Sequence, residues 1–207
     1  MVGIIDYKAG NSHSVQNACE KIGVSCSLIS DGAILEQVDH IILPGVGSAG
    51  ETMDSLKELN MIGFLEKRVL TDKIPFLGIC VGMQILFEHS EEDDADCLGW
   101  LKGKVIKFDK SLVRIPQMGW NNVTWEKQSI LRSSVADNPY FYFVNSYHAV
   151  PADKSDILAT TAYGCKFTSM VERDNIHASQ FHIEKSGGAG LTILKNFTLG
   201  GGTTSVN

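Results

Sequence analysis

The sequence predicts an α/β protein with a central, mostly parallel sheet, helices on both of its faces and an antiparallel, β-rich second half. Two observations support this fold class. Over the first 90 residues, short apolar runs alternate with amphipathic segments, and strands that alternate with helices are joined by right-handed crossovers into parallel sheets. From Lys104 to Phe181 the helical periodicity gives way to successive β-rich segments, which favour antiparallel pairing.

Local sequence signals predict each strand and helix of the first half of the chain. A strand over Val2–Ile5 is followed by a turn through residues 8–10 and by a helix that Asn11 or Ser12 can cap. Gly23 ends that helix. Apolar spacing then predicts further strands at Val24–Ile29, His40–Leu43 and Ile74–Ile79, one helix through Leu56, Leu59, Ile62 and Leu65, and another helix that begins near Val81.

In the second half, one last helix follows the β-rich segments. It is predicted over Gly190–Phe197, before a polar, glycine-rich end. We expect one domain over residues 1–199 and a flexible tail over residues 200–207, with the acidic run Glu91–Asp96 as a solvated loop. The predicted strands are Val105–Phe108, Asn122–Trp125, Tyr140–Val144 and Phe167–Val171.

Composition excludes several classes of function. Eighteen Lys and Arg against 24 Asp and Glu leave a net charge of −6, which offers no excess of positive charge for nucleic acid. The longest apolar stretch, Ile74–Phe87, is shorter than the roughly 20 residues that span a bilayer, and the start lacks the features of a signal peptide. Five cysteines without a C-x-x-C pair indicate reduced thiols and no zinc site. We expect a cytoplasmic protein that binds no membrane, metal or cofactor.

The segment Gly78-Ile79-Cys80-Val81-Gly82 lies between an apolar strand and a helix, which is the setting of a nucleophile elbow with Cys80 as the nucleophile. Glycines on both sides allow the close approach that such a sharp turn requires. Helix-terminal charge supplies up to about 2 kcal/mol, whereas moving a thiol from a few per cent to mostly thiolate takes about 2.7 kcal/mol. A histidine must therefore assist.

His182 and Glu184 are the strongest candidates for that assistance. Residues i and i+2 share a face of an extended chain, so Glu184 can hold one imidazole nitrogen while the other faces Cys80. The small-residue loop Pro44–Gly50 follows a buried strand and can present backbone N–H groups to a developing oxyanion. The expected oxyanion donors are the N–H of Val81 and that of Val46 or Gly47.

Three motifs together resemble the class I (triad) glutamine amidotransferases, and the match spans nearly the whole chain: Pro44-Gly-Val-Gly, Gly78-Ile-Cys-Val-Gly-Met-Gln84 and Gln180-Phe-His-Ile-Glu-Lys185-Ser186. Asp6-Tyr7, Pro116–Asn121 and Tyr142–Tyr147 are similar to blocks of the subfamily that forms the glutaminase subunit of imidazole glycerol phosphate synthase. The resemblance implies a flavodoxin-like glutaminase that uses Cys80, His182 and Glu184. It also implies four residues that hold the glutamine head group, namely Gln84, Glu92, Ser146 and Tyr147.

The resemblance further implies a partner. In the subfamily a HisF-like (β/α)₈ cyclase receives the ammonia and forms imidazole glycerol phosphate and AICAR in histidine biosynthesis. The residues expected at or near that contact are Asn11, Gln117, Trp120, Tyr142 and Lys185; for Trp120 and Tyr142, core packing is the competing interpretation.

Several positions depart from the family pattern. Ile183 replaces a usual proline, Gln117 and Asn145 replace customary histidines, and residues 8–9 differ from a glycine-rich turn. These departures concern the acceptor of ammonia more than the chemistry. Three alternatives therefore stay open: a paralogous glutaminase that serves a sugar amidotransferase in surface-polysaccharide synthesis, a cysteine peptidase or γ-glutamyl hydrolase, and a non-catalytic binding module with an inert Cys80.

Overall fold

The computed structural model describes residues 1–7 and 11–200, which form a 12-stranded mixed sheet, a separate two-stranded sheet and five α-helices. Short 3-10 segments join several of these elements, and a π-helical segment, Lys67–Thr71, follows the third helix. The helices are α1 (Ser12–Lys21), α2 (Ala49–Glu58), α3 (Met61–Glu66), α4 (Val81–Gln84) and α5 (Gly187–Gly200). The strands are β1 (Val2–Ile5), β2 (Cys26–Ile29), β3 (His40–Gly45), β4 (Phe76–Cys80), β5 (His89–Ser90), β6 (Ala95–Asp96), β7 (Gly103–Lys107), β8 (Gln117–Asn122), β9 (Thr124–Trp125), β10 (Tyr140–Asn145), β11 (Tyr147–Pro151), β12 (Ile157–Tyr163), β13 (Cys165–Arg173) and β14 (Ile176–Ser179).

The parallel part of the large sheet has the strand order β2-β1-β3-β4-β14. Strand β14 then pairs antiparallel with β13, and β11 and β7 continue the sheet with further antiparallel pairs. Strands β8 and β10 form the separate antiparallel sheet. The predicted parallel core and antiparallel second half are therefore confirmed.

Helices cover both faces of the parallel strands. The chain moves one way along the sheet from β1 to β2 and the other way from β3 to β4, so right-handed crossovers put α1 on one face and α2 with α3 on the opposite face. Helix α5 contacts α1. Because both faces are covered, the central strands are apolar throughout, and Ile4, Ile42 and Leu77 are fully buried.

The carboxyl ends of β3, β4 and β14 meet at one edge of the sheet, where ligands bind in open α/β folds. Strand β10 lies against this edge. Phe141 of β10 stacks on Phe181 with a ring-centroid distance of 4.0 Å, and the backbone N–H of His182 donates to the Tyr142 carbonyl at 2.9 Å. The small sheet thereby fixes the segment that follows β14.

Some predicted boundaries were wrong. The single helix through residues 56–65 is two helices, because Asn60 takes a left-handed conformation with φ of 50° between α2 and α3. The helix after Val81 is only one turn long. The acidic run Glu91–Asp96 connects β5 to β6 and includes that second strand. The last helix is longer than predicted at both ends, while the turn at residues 8–10 and tail residues 201–207 lie outside the described residues.

Among residues 1–7 and 11–200, no helix is long and apolar enough to cross a membrane. The division into one domain over residues 1–199 stays a prediction.

Candidate active site

Cys80 is the last residue of β4 and stands immediately before α4. Its φ of 56° and ψ of −108° are a strained combination for a residue with a side chain, as expected of a nucleophile elbow. The flanking glycines make the turn possible. A Cβ on Gly78 would lie 2.5 Å from the Gly82 carbonyl oxygen, and one on Gly82 would lie 2.0 Å from the Leu43 carbonyl oxygen.

The Cys80 side chain is 5% exposed and lies among polar groups. Its Sγ is 3.8 Å from the Val144 carbonyl oxygen, which can accept the thiol hydrogen. On another side, the Gln180 Nε2 donates to Sγ at 3.7 Å. His182 is also a side-chain hydrogen-bond partner of Cys80. The sulfur is thus a buried group with both an acceptor and donors around it.

His182 and Glu184 form the predicted contact, with Nδ1 of the imidazole 2.9 Å from Oε1 of the carboxylate. The predicted extended backbone was wrong, because β14 ends at Ser179 and a 3-10 turn begins at Ile183. The turn still brings the two side chains together. Since Nδ1 is engaged by Glu184, Nε2 is the nitrogen left to serve Cys80.

Burial and charge oppose each other at this pair. Burial disfavours the charged imidazole and lowers the pKa of His182, but hydrogen bonds and charge from Cys80 and Glu184 outweigh burial and raise that pKa to about 10. For Glu184, burial alone would raise the pKa. The hydrogen bond and positive charge of His182, together with the hydrogen bond from Asn11, outweigh burial and lower that pKa. The pair therefore favours an imidazolium beside a carboxylate.

Asn11 is the second partner of Glu184. Its Nδ2 donates to Glu184 Oε1 at 2.7 Å and lies 3.5 Å from His182 Nδ1. Asn11 stands at the N-cap position of α1 as expected, but its side chain makes no capping hydrogen bond. The side chain instead holds the carboxylate, and Glu184 Oε2 is left as a buried oxygen without a partner among the described residues.

A cavity of about 250 Å³ opens beside Cys80 and His182. Its volume is just below the usual range for pockets that bind drug-sized ligands, which suits a molecule the size of an amino acid. All seven residues predicted to bind substrate or stabilise an oxyanion line this cavity, namely Val46, Gly47, Val81, Gln84, Glu92, Ser146 and Tyr147. Pro116, Val144 and Asn145 complete the wall.

The chain matches the family model described as "Glutamine amidotransferase class-I" over residues 3–200. The chain belongs to the class I glutamine amidotransferases. It is 46% identical over 198 residues to "Imidazole glycerol phosphate synthase subunit HisH" of Methanocaldococcus jannaschii, covering 95% of this chain and 98% of that protein. It is also 45% identical over 203 residues to the protein of the same name from Sulfurimonas denitrificans, covering 96% of this chain and 97% of that protein.

Solved structures agree with this amidotransferase on the fold. "Structure of PurLQS from Thermotoga maritima" superposes with a TM-score of 0.75 at 17% identity, covering 95% of this chain and 96% of that one. "Crystal structure of glutamine amidotransferase" gives a TM-score of 0.74 at 18% identity, covering 94% and 97%. The expected class I glutamine amidotransferase fold is therefore confirmed.

Two cavity residues of this amidotransferase are themselves held by polar contacts. Glu92 Oε2 accepts from the Ala49 N–H at 3.3 Å, at the start of α2, and burial raises the pKa of Glu92 more than this bond lowers it. In the Pro44–Gly50 loop, the Val46 backbone N–H is hydrogen-bonded to the Tyr7 hydroxyl, which itself donates to the Pro44 carbonyl oxygen at 2.9 Å, and burial raises the pKa of Tyr7 to about 12. Gly47 has a φ of 97°, which favours glycine.

The five residues predicted near a partner differ in exposure. Trp120 is 55% exposed and packs edge-on against Tyr142 with ring centroids 6.0 Å apart, so the exposed ring contradicts simple core packing. Tyr142 is half-buried and Lys185 is exposed. Asn11 and Gln117 are only 4% and 3% exposed, so their side chains lie beneath the surface of the isolated chain.

Two polar contacts at this site were not predicted from the sequence. The sequence predicts no role for Gln180, and it predicts that Asn11 lies near a partner and not that it binds Glu184. The segment Ile176–Phe181 already mixes polar and apolar residues, so no local pattern distinguishes Gln180 from its neighbours. The contact of Asn11 joins residues 173 positions apart, and no local pattern encodes it.

Proposed function

We propose that this chain hydrolyses L-glutamine to glutamate and ammonia, and that it supplies the ammonia to a partner subunit. The observation that carries the proposal is the convergence of Cys80 and His182 on one small cavity, with Glu184 bound to the far side of the imidazole. Nucleophile, base and orienting group are the three parts that acyl transfer requires.

In the proposed reaction, the Cys80 thiolate attacks the carboxamide carbon of glutamine. The N–H of Val81 stabilises the oxyanion together with that of Gly47, or with that of Val46 if it leaves its bond to Tyr7. His182 gives its proton to the leaving nitrogen, so ammonia departs and a γ-glutamyl thioester remains. Water then attacks the thioester while His182 takes its proton, and glutamate leaves. Glu184 keeps the imidazole oriented throughout.

Binding of the glutamine head group is assigned to Gln84, Glu92, Ser146 and Tyr147. Glu92 suits the α-ammonium group, because an amino acid at neutral pH brings a positive charge to that carboxylate. The substrate thereby offsets part of the burial that raises the pKa of Glu92.

We assign the partner to a HisF-like (β/α)₈ cyclase, and the product pathway to histidine biosynthesis, because the relatives named above are subunits of imidazole glycerol phosphate synthase. The exposed Trp120 supports a partner at the β8–β10 sheet. Five unpaired thiols favour a reducing compartment, and we place the protein in the cytoplasm.

The test is glutamate release from L-glutamine, measured with and without a HisF-like cyclase and its nucleotide ligand. Wild type should be nearly silent alone and active in the complex. Cys80→Ala should abolish release, and the matched Cys165→Ala, at an exposed thiol, should not change it. Activity that survives Cys80→Ala contradicts the proposal. Stimulation by a sugar-amidotransferase partner instead of the cyclase would favour the paralogous route.

A further inference from the structure

The Gln180 side chain is fully buried beside the nucleophile and has no role in the mechanism above. It lies between two residues of the cavity wall. Its Nε2 donates to Cys80 Sγ at 3.7 Å, and its Oε1 accepts from the Gln84 Nε2 at 3.0 Å. A buried amide with both ends engaged in this way is held in one orientation.

The orientation of the Gln180 amide is fixed by a backbone carbonyl that Gln84 also contacts. Gln84 Nε2 also donates to the Tyr147 carbonyl oxygen at 3.3 Å, and a carbonyl oxygen can only accept. The amide nitrogen of Gln84 must therefore face both Tyr147 and Gln180. Gln180 consequently presents its oxygen to Gln84 and its NH₂ group to the sulfur. Turning either amide over would bring two oxygens or two NH₂ groups together.

The sulfur has one backbone neighbour and one side-chain neighbour, and the two have opposite effects on the balance between thiol and thiolate. The Val144 carbonyl, 3.8 Å from Sγ, accepts from a neutral thiol and repels a thiolate. The Gln180 N–H donates to the sulfur, and hydrogen bonds to charged acceptors are the stronger kind. An N–H aimed at the sulfur therefore favours the thiolate.

We propose that Gln180 stabilises the Cys80 thiolate by donating a hydrogen bond to it, and that Gln84 holds Gln180 in the donating orientation. This inference rests on the proposed function, in which Cys80 is the nucleophile. It adds a group that touches the reacting sulfur from outside the triad.

The arrangement also links the cavity to the sulfur. Gln84 lines the cavity, and its Oε1 is buried without a partner among the described residues. A donor group of the substrate bound to Oε1 would polarise the two amides in series and strengthen the last bond, since hydrogen bonds in a chain reinforce one another. Substrate binding would thus increase the thiolate fraction of Cys80.

The test is the pH dependence of Cys80 alkylation by iodoacetamide, followed by peptide mass spectrometry on the full isolated chain. Gln180→Met keeps the length of the side chain and removes the donor. Gln180→Glu keeps the shape and the acceptor for Gln84 but places a carboxylate against the sulfur. Ser169→Ala is the matched control, because its buried hydroxyl has no partner among the described residues and its carbonyl accepts from the Gln180 backbone at 2.9 Å.

We expect the midpoint of the alkylation profile to rise by about one pH unit in Gln180→Met, which is about a tenfold lower ratio of thiolate to thiol at a given pH, as loss of one bond to a charged sulfur implies. Gln180→Glu should shift the midpoint further, and Ser169→Ala should leave it unchanged. A midpoint equal to wild type in either Gln180 variant that folds overturns the inference. Failure of the proposed function is separate, because it would show as glutamate release that persists after Cys80 is alkylated or replaced.

Discussion

Replacing Glu184 by glutamine removes the negative charge behind His182 and leaves the shape of the side chain intact. The outcome depends on how the new amide is oriented. Both hydrogen bonds of the carboxylate are made by Oε1, from Asn11 at 2.7 Å and from His182 at 2.9 Å, while Oε2 has none among the described residues. The amide oxygen should therefore occupy the position of Oε1 and keep both bonds.

The orientation of the new amide determines how much activity Glu184→Gln loses. If the amide oxygen still accepts from Nδ1, the imidazole keeps the tautomer that leaves Nε2 free for Cys80, and only the charge is lost. The difference between charged and neutral hydrogen bonds is about 1–2 kcal/mol, so Glu184→Gln should lower kcat by about 5- to 30-fold. A wrong tautomer in a comparable triad costs about 10⁴-fold.

The assay is glutamate release in the cyclase complex for Glu184→Gln, Asn11→Ala and the double variant. Without the Asn11 donor, the amide can turn its NH₂ group toward Nδ1 and force the wrong tautomer. The double variant should therefore lose at least tenfold more than the product of the two single losses. A loss near 10⁴-fold in Glu184→Gln alone, with no further effect of Asn11→Ala, would refute this reasoning.

Three other predictions test the fold, the electrostatics and the partner surface. Gly82→Ala, whose Cβ would lie 2.0 Å from a carbonyl oxygen, should unfold at lower denaturant concentration than wild type, whereas Gly63→Ala, in open space on α3, should stabilise the protein by up to about 1 kcal/mol. Because the pKa of His182 is raised from 6.5 to about 10, the charged imidazole stabilises the folded state fully below pH 6.5 and progressively less as the pH rises to about 10. The difference in unfolding free energy between wild type and His182→Asn should therefore shrink over this pH range, and a difference that stays constant would contradict the ion pair. Trp120→Ala should weaken cyclase binding by about 30-fold in Kd, as for a central aromatic contact, with Leu112→Ala, at 65% exposure, as the unchanged control in the same titration.

The elbow could be predicted from the sequence because its constraints are local. A strand that ends in a sharp turn needs small residues where backbones approach, and Gly78 and Gly82 stand on either side of Cys80 for that reason. The same holds for β1 and α1, where the spacing of apolar residues and the glycine that ends the helix, Gly23, agree with the structure. The left-handed residue Asn60 was missed, since nothing in the apolar spacing distinguishes one helix from two.

The site was harder to predict because its contacts are long-range. The pairing of His182 with Glu184 came out as expected although no strand runs through it: His182 is extended, with φ of −79° and ψ of 100°, and the 3-10 turn begins only at Ile183. The bond between Gln84 and Gln180 joins residues 96 positions apart, and only the packing of β14 against β4 brings them together. Such pairs become visible only once strand order is known.

The central claim is that Cys80 is the nucleophile toward glutamine, and covalent capture tests it most directly. The full chain in its cyclase complex is incubated with an electrophilic glutamine analogue, and the modified peptides are mapped by mass spectrometry. The account predicts one adduct, on Cys80, that excess L-glutamine suppresses and that is lost in His182→Asn. Labelling spread over Cys19, Cys97 and Cys165, or labelling of Cys80 that glutamine does not suppress, would contradict it.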